Sequence, residues 1–236
     1  MARPIIGRIE NLEGGKIMAR LPIEIMKAHL KLYFIMGSQN CLKDPRETLI
    51  DAINGGVTLF QYREKGTGAL IGESKMVLAR DLQTICKEHG IPFIVNDDLD
   101  LALELDADGV HIGQEDSPAN LVRKKMGPEK ILGVSAHTME EATLAIEHGA
   151  DYLGIGPIYP TTTKEDAKPA KGMVLVQALR NHGLTFPIVG IGGIKSANAE
   201  HVVKEGADGV SVITAISQAE DPLRAATDLA KAVHIN

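Results

Sequence analysis

The chain has no tryptophan, and aromatic residues make up only 3% of its 236 positions. A core of large rings is therefore excluded. The interior must come from Ile, Val, Leu, Ala and Met, within a hydrophobic content of 44%. Cysteine is scarce as well. Two lone thiols, Cys41 and Cys86, make neither a disulfide framework nor a metal knuckle, and a reducing cytoplasm is the default setting. There is no long basic run and the net charge is −6, which argues against a nucleic-acid partner. Anionic small ligands stay open, because a few cations inside a cleft can bind them. No apolar run reaches the length of a signal segment or a membrane span, so a soluble cytoplasmic protein without a membrane partner is expected.

Glycine, by contrast, is abundant at 24 residues, which suits many tight strand-to-helix turns. Residues 1–17 follow no clear period, carry Gly14-Gly15, and precede Met18, which can itself be a start. They read as an N-terminal extension, leaving 18–236 as one domain. Residues 19–29 read as a short amphipathic helix that can cover the floor of a barrel.

From Leu30 onward the pattern is regular. Apolar, β-branched runs at 31–36, 58–63, 93–96, 109–112, 131–135, 152–156, 188–191 and 209–213 read as strands. Helical segments such as 47–54, 72–89, 120–126, 139–147, 173–181, 197–204 and 222–233 lie between them. Near-continuous apolar strands are those of parallel sheets buried on both faces. A faint repeat agrees: Gly149-Ala150-Asp151 and Gly206-Ala207-Asp208 each end a helix and enter a strand, and Asp106-Ala107-Asp108 nearly does the same. Eight such units on a chain of this length predict a single (β/α)8 TIM barrel, with its chemistry at the C-terminal strand ends.

The residues after each strand carry the candidates. After the second come Gln61-Tyr62-Arg63-Glu64-Lys65, and alternation sends Gln61, Arg63 and Lys65 to one side. Two cations there suit an oxygen-rich anion, although a solvated strand end paired through Glu64 reads equally well. After the third and fourth come Asn96-Asp97-Asp98 and His111-Ile112-Gly113-Gln114-Glu115-Asp116. Asp97 and Asp116 can supply the one or two carboxylates that Mg2+ takes alongside substrate phosphate. Alternatively, Asp98 or Asp116 caps the next helix. Two acidic loops beside a cationic strand favour the metal. His111 reads as a polar barrel residue or a substrate contact, and a lone histidine is more often structural.

Ser135 and His137 do not make a nucleophile pair at this spacing. Ser135 reads as a hydrogen-bond donor, and Thr138 with Glu141 as a capping box. The long loop from Pro157 to Lys171 contributes Thr161, Thr162, Thr163 and Lys164, and can act as a lid or run as plain surface. Gly190-Ile191-Gly192-Gly193-Ile194 follows the seventh strand, and Ile213-Thr214 follows the eighth. Loops seven and eight of barrels often bind phosphate through backbone N–H groups. One metal-assisted anion site and one backbone site together suggest a transferase acting on two phosphorylated substrates.

These motifs, in this order from about Leu30 to the C-terminus, resemble the thiamine-phosphate synthase family. The resemblance implies a pyrimidine diphosphate held by Gln61, Tyr62, Arg63, Glu64, Lys65 and Asn96. It implies Mg2+ on Asp97 and Asp116. Ser135 and Lys164 would contact the pyrimidine or its diphosphate, and Arg63, Lys65, Ser135 and Lys164 would be the catalytic group. Thr161, Thr162, Thr163, Gly193, Ile213 and Thr214 would hold a thiazole phosphate. Thr214 stands where the family often has Ser, a change that a backbone contact would not register. The implied chemistry is dissociative, needing charge neutralisation, ring alignment and exclusion of water rather than a nucleophile. A thiazole tautomerase relative and a non-catalytic thiamine-phosphate-binding regulator are the alternatives. The partners are then small molecules, and a homo-oligomer is left open.

Overall fold

Strand runs of four to six residues close on one another in sequence order. In the computed structural model, residues 21–161 and 170–233 are described. The expectations for residues 1–17, Thr162, Thr163 and Lys164 lie outside the described residues. Among those described, β1 (Leu32–Met36), β2 (Leu59–Tyr62), β3 (Phe93–Asn96), β4 (Gly109–Ile112), β5 (Ile131–Ala136), β6 (Tyr152–Ile155), β7 (Ile188–Ile191) and β8 (Gly209–Val212) form a closed parallel barrel. Strand β8 returns to β1 through Leu32 opposite Val210 and Tyr33 opposite Ser211. The helices are α1 (Ile23–His29), α2 (Pro45–Asn54), α3 (Gly72–Glu88), α4 (Leu99–Glu104), α5 (Ala119–Met126), α6 (Met139–Glu147), α7 (Gly172–Asn181), α8 (Ser196–Lys204), α9 (Thr214–Ser217) and α10 (Pro222–Val233). The fold is a (β/α)8 TIM barrel. No helix among the described residues is long and apolar enough to cross a membrane.

The two-residue period of the strands sorts the core into two layers. Tyr33, Ile35, Leu59, Ile94, Ile131, Tyr152 and Val189 point into the barrel. Met26, within α1, and Leu30, just past its end, join them and close the floor. The alternate residues, such as Phe34, Phe60, Phe93 and Val95, face the helices and meet Leu49, Leu78 and Leu82 there. The few phenylalanines are not scattered: Phe34, Phe60 and Phe93 form a row on adjacent strands with ring centroids 5.8 Å apart. Each fully buried side chain of this size contributes about 1.5–3 kcal/mol.

The sequence repeat has a structural cause at the floor. The residue entering each even strand accepts a hydrogen bond from the start of the odd strand before it. Thr58 Oγ1 takes Leu32 N–H at 2.9 Å, and Asp108, Asp151 and Asp208 take Phe93, Leu132 and Ile188 N–H at 2.8 Å each. Two of these carboxylates also hold a half-buried arginine, Arg123 on Asp151 at 2.5 Å and Arg180 on Asp208 at 2.7 Å. Each guanidinium spends its remaining donors on carbonyls that end neighbouring helices or loops, Gly127, Lys130 and Gly149 in one case and Leu184, Phe186 and Gly206 in the other.

Both cysteines are unpaired thiols. Burial first, then the charges of Glu64 and Asp44, push Cys41 up to about 12. Burial, with Asp108 adding to it, also raises Cys86, which is fully enclosed. The thiolate is the reactive form, so a thiol reagent at pH 8 is expected to label neither residue rapidly in the native protein and both after denaturation. Fast stoichiometric labelling of the native chain would contradict this.

Candidate active site

A cavity of about 740 Å³ opens at the C-terminal ends of the strands. Arg63, Lys65, Asn96, Asp97, Asp116 and Ser135 line one side, and Gly192, Gly193, Ile213, Thr214 and Thr161 the other. The barrel thus brings together residues from loops two, three, four, five, six, seven and eight.

The alternation past β2 separates the Gln61–Lys65 run by direction. Arg63 and Lys65 reach the cavity, whereas Gln61 lies below it in the barrel interior, 1% exposed. Tyr62 and Glu64, predicted as substrate contacts, are not on the cavity wall. The Tyr62 ring faces the helical layer, stacks on Phe93 and donates its hydroxyl to the Lys75 carbonyl at 3.0 Å. Glu64 accepts from Ser38 N–H at 2.9 Å, Ser38 Oγ at 2.6 Å and Leu70 N–H at 2.7 Å, so its carboxylate ties the β1 and β2 loops together.

The acidic loops divide their labour. Asp98 caps α4 through Leu101 N–H at 3.0 Å and pairs with Lys75 at 2.6 Å. Asp97 instead turns to the cavity, in the left-handed region at φ 59. A non-glycine residue there carries strain of about 1–2 kcal/mol, less for Asp and Asn. Asp116 does not cap α5; it accepts Gly113 N–H at 2.7 Å and closes the β4 turn. Its carboxyl meets that of Asp97. Burial opposes the ionisation of Asp97, but the Lys65 ammonium, 2.7 Å away, outweighs it and holds Asp97 below the usual carboxylate range. Burial and the facing Asp97 charge push Asp116 up, against the pull of Gly113 N–H. Two hard-oxygen donors that repel each other fit a divalent cation whose other ligands come from a phosphate and water. No group of three or more His, Cys, Asp or Glu placed to hold a metal occurs among the described residues.

Two further features were not legible from local sequence. Ser135 does pair with a histidine, but with His111 on the neighbouring strand at 2.9 Å, not with His137. His137 instead meets the Gly156 carbonyl at 3.0 Å. Register supplies the missing signal, since His111 lies opposite Gly133, two residues before Ser135. Half of the Thr138 box forms: Glu141 N–H donates to Thr138 Oγ1 at 3.1 Å, but the Glu141 carboxylate takes the N–H of His137, one residue before the cap, at 2.6 Å.

On the opposite wall, Gly193 sits at φ 63. A Cβ there would lie 2.7 Å from the Pro160 carbonyl oxygen and 2.8 Å from Tyr159 Cβ. Only glycine lets the seventh loop pass this close to the sixth.

Residues 32–216 match the family model described as thiamine monophosphate synthase. The chain belongs to that family. It is 59% identical over 216 residues to the thiamine-phosphate synthase of Geobacillus kaustophilus, covering 92% of this chain and 97% of that one. The corresponding protein of Bacillus cereus strain B4264 is 57% identical, over 92% of this chain and 98% of its own. Among solved structures, the thiamine phosphate pyrophosphorylase of Pyrococcus furiosus superposes with a TM-score of 0.78 at 36% identity, covering 88% of this chain and 97% of that one. Membership makes the chain a transferase of thiamine biosynthesis, in line with a cavity that has Arg63 and Lys65 on one wall, a glycine-lined loop on the other and, among the described residues, no activated nucleophile.

Proposed function

We propose that the cavity joins an aminopyrimidine, carried on a methylene diphosphate, to a thiazole bearing a phosphooxyethyl arm, releasing thiamine phosphate and diphosphate. The observation that carries this reading is the pairing of walls: Asp97, Asp116, Arg63 and Lys65 face the glycine-lined loop at Gly193 across one cavity. The first wall suits a diphosphate and the second a monophosphate.

Asp97 and Asp116 would hold Mg2+, which when bound offsets the charge that builds on a departing diphosphate. Arg63 and Lys65 add fixed positive charge to the same oxygens. Lys65 is already held beside the acidic pair by Asp97. Asn96 offers an amide, and Ser135 a hydroxyl, to the pyrimidine diphosphate. Gly193, Ile213 and Thr214 present backbone N–H groups to the thiazole phosphate, with Thr161 beside them. Thr162, Thr163 and Lys164 complete the assignment by the resemblance alone. No residue need form a covalent bond to substrate; alignment of two rings and exclusion of water suffice. The partners are small molecules, and two unpaired thiols suit a reducing cytoplasm.

The test is diphosphate release from purified protein given both substrates, with Mg2+ and with chelator. Release that needs both Mg2+ and the thiazole phosphate, with thiamine phosphate appearing in step, supports the reading. Tight thiazole-phosphate binding without release would return the chain to a tautomerase or regulatory role. In the same system, Gly193→Val is expected to weaken thiazole-phosphate binding by at least about tenfold, because strain and collision displace the backbone donors. Calorimetric titration checks it, and an unchanged affinity would remove Gly193 from the site.

A further inference from the structure

Five polar side chains inside the barrel form one run of hydrogen bonds. Gln61 Nε2 donates to Tyr33 Oη at 2.5 Å. Tyr33 and Tyr152 hydroxyls meet at 2.8 Å, Tyr152 Oη meets His111 Nδ1 at 2.9 Å, and His111 Nε2 meets Ser135 Oγ at 2.9 Å. Both tyrosines are buried, at 1% and 0% exposure, so neither hydroxyl can turn to water.

The direction of the run follows from its first member. An amide nitrogen can only donate. Tyr33 therefore accepts from Gln61 and gives its own proton to Tyr152, its remaining partner. Tyr152 passes its proton to His111 Nδ1. An accepting Nδ1 leaves the imidazole proton on Nε2, which donates to Ser135 Oγ. The Ser135 hydroxyl proton then has nowhere to go but the cavity that Ser135 lines. The same logic disposes of a serine nucleophile, because an Nε2 that already carries a proton cannot take the one on Ser135.

The strands reserve space for this arrangement. A Cβ on Gly133 would fall 2.1 Å from Tyr152 Cζ and 2.5 Å from His111 Nδ1, and one on Gly154 would fall 3.0 Å from His111 Cε1. Gln114 Nε2 also donates to the Ser135 carbonyl at 2.6 Å, which fixes the serine from its other side.

We propose that His111 is a positioning residue, locked as its Nε2–H tautomer by the Gln61–Tyr33–Tyr152 run so that the Ser135 hydroxyl donates into the cavity to a diphosphate oxygen. The proposal rests on the reading of this wall as a diphosphate site. Its role is indirect: His111 touches Ser135, and Ser135 touches substrate.

Full-length protein with ¹⁵N-labelled histidine tests the tautomer. The His111 resonances are expected to show an unprotonated Nδ1 and a protonated Nε2, and a tautomer mixture in Tyr152→Phe. Titration with Mg2+–diphosphate tests the consequence. Ser135→Ala and Tyr152→Phe should each weaken binding by about tenfold, the loss of one hydrogen bond to a charged group. The double variant should be no weaker than Ser135→Ala alone, because both act through one hydroxyl. A merely structural tyrosine would give losses that add, and additive losses overturn the proposal. So does an Nδ1–H tautomer in the wild type, or Tyr152→Phe binding as well as wild type. Should Tyr152→Phe fail to fold, Tyr33→Phe breaks the same run one link earlier and carries the same comparison. A wild type that binds no Mg2+–diphosphate overturns the diphosphate site itself; one that binds it but releases none from substrate overturns the synthase reading and leaves this one standing.

Discussion

Asp97→Asn is expected to lower Mg2+-dependent diphosphate release by about a hundredfold to a thousandfold, the usual cost of removing one electrostatic contact to a developing charge. Affinity for the thiazole phosphate should stay within about twofold of wild type. Asparagine is the informative replacement because the backbone at this position is left-handed, φ 59, a region that Asn tolerates at least as well as Asp. Alanine would add strain of about 1–2 kcal/mol and confound lost charge with lost geometry. The substitution also removes the anion that now holds Lys65. The Mg2+ concentration for half-maximal rate should rise, since one carboxylate of two is gone. Steady-state release across a Mg2+ series, beside calorimetry with thiazole phosphate, separates the effects. An equal loss at both substrates would mean that the two anion sites have been assigned to the wrong walls.

The barrel was legible because eight short, β-branched apolar runs recur between turn residues and helical stretches, the pattern of parallel strands buried on both faces. The helix α4 was not. Its sequence, Leu99-Asp100-Leu101-Ala102-Leu103-Glu104, alternates apolar and polar residues almost as a strand would, and it forms a helix because Asp98 caps it and the barrel receives Leu101 and Ala102. The acidic loops were read as alternatives, cap or ligand, and composition could not say which carboxylate caps a helix. A backbone sign decides it: the positive φ of Asp97 turns that carboxyl to the cavity and leaves Asp98 to the helix. Tyr62 and Glu64 were drawn into the candidate site by their neighbours. Alternation already pointed Tyr62 outward, and two of the three bonds to Glu64 come from Ser38, a whole loop away and beyond any local pattern. The His111–Ser135 contact shows the same limit, since it depends on the register of β4 against β5 and on two glycines, Gly133 and Gly154, that leave room for the Tyr152 and His111 rings.

At the opposite end of the barrel, Asp208→Ala is expected to destabilise the fold by about 3 kcal/mol. The carboxylate is 16% exposed and the guanidinium of Arg180 21%, so the pair is largely shielded from solvent. Arg180 cannot swing to water when its partner goes, because three of its donors are committed to the carbonyls of Leu184, Phe186 and Gly206. The charge is left enclosed and unpaired, the situation in which removal of one partner costs about 3–5 kcal/mol. The Ile188 N–H loses its acceptor as well, at the entry of a barrel strand. Domains of this kind are stable by only about 5–15 kcal/mol, so the change consumes a large share. Urea unfolding should show a lower midpoint at an unchanged slope. Replacing Arg180 and Asp208 together by apolar residues should recover much of the loss, as it removes the stranded charge. Asp106→Asn is the control: its carboxylate lies in solvent beside Lys130, asparagine suits the left-handed backbone there, φ 49, and the loss of the pair should leave the midpoint where it was. Because the floor lies at the far end of the strands from Asp97 and Gly193, the folded fraction of Asp208→Ala should turn over substrate at the wild-type rate. A folded variant with impaired turnover would show that the floor clamps reach through the strands to the site.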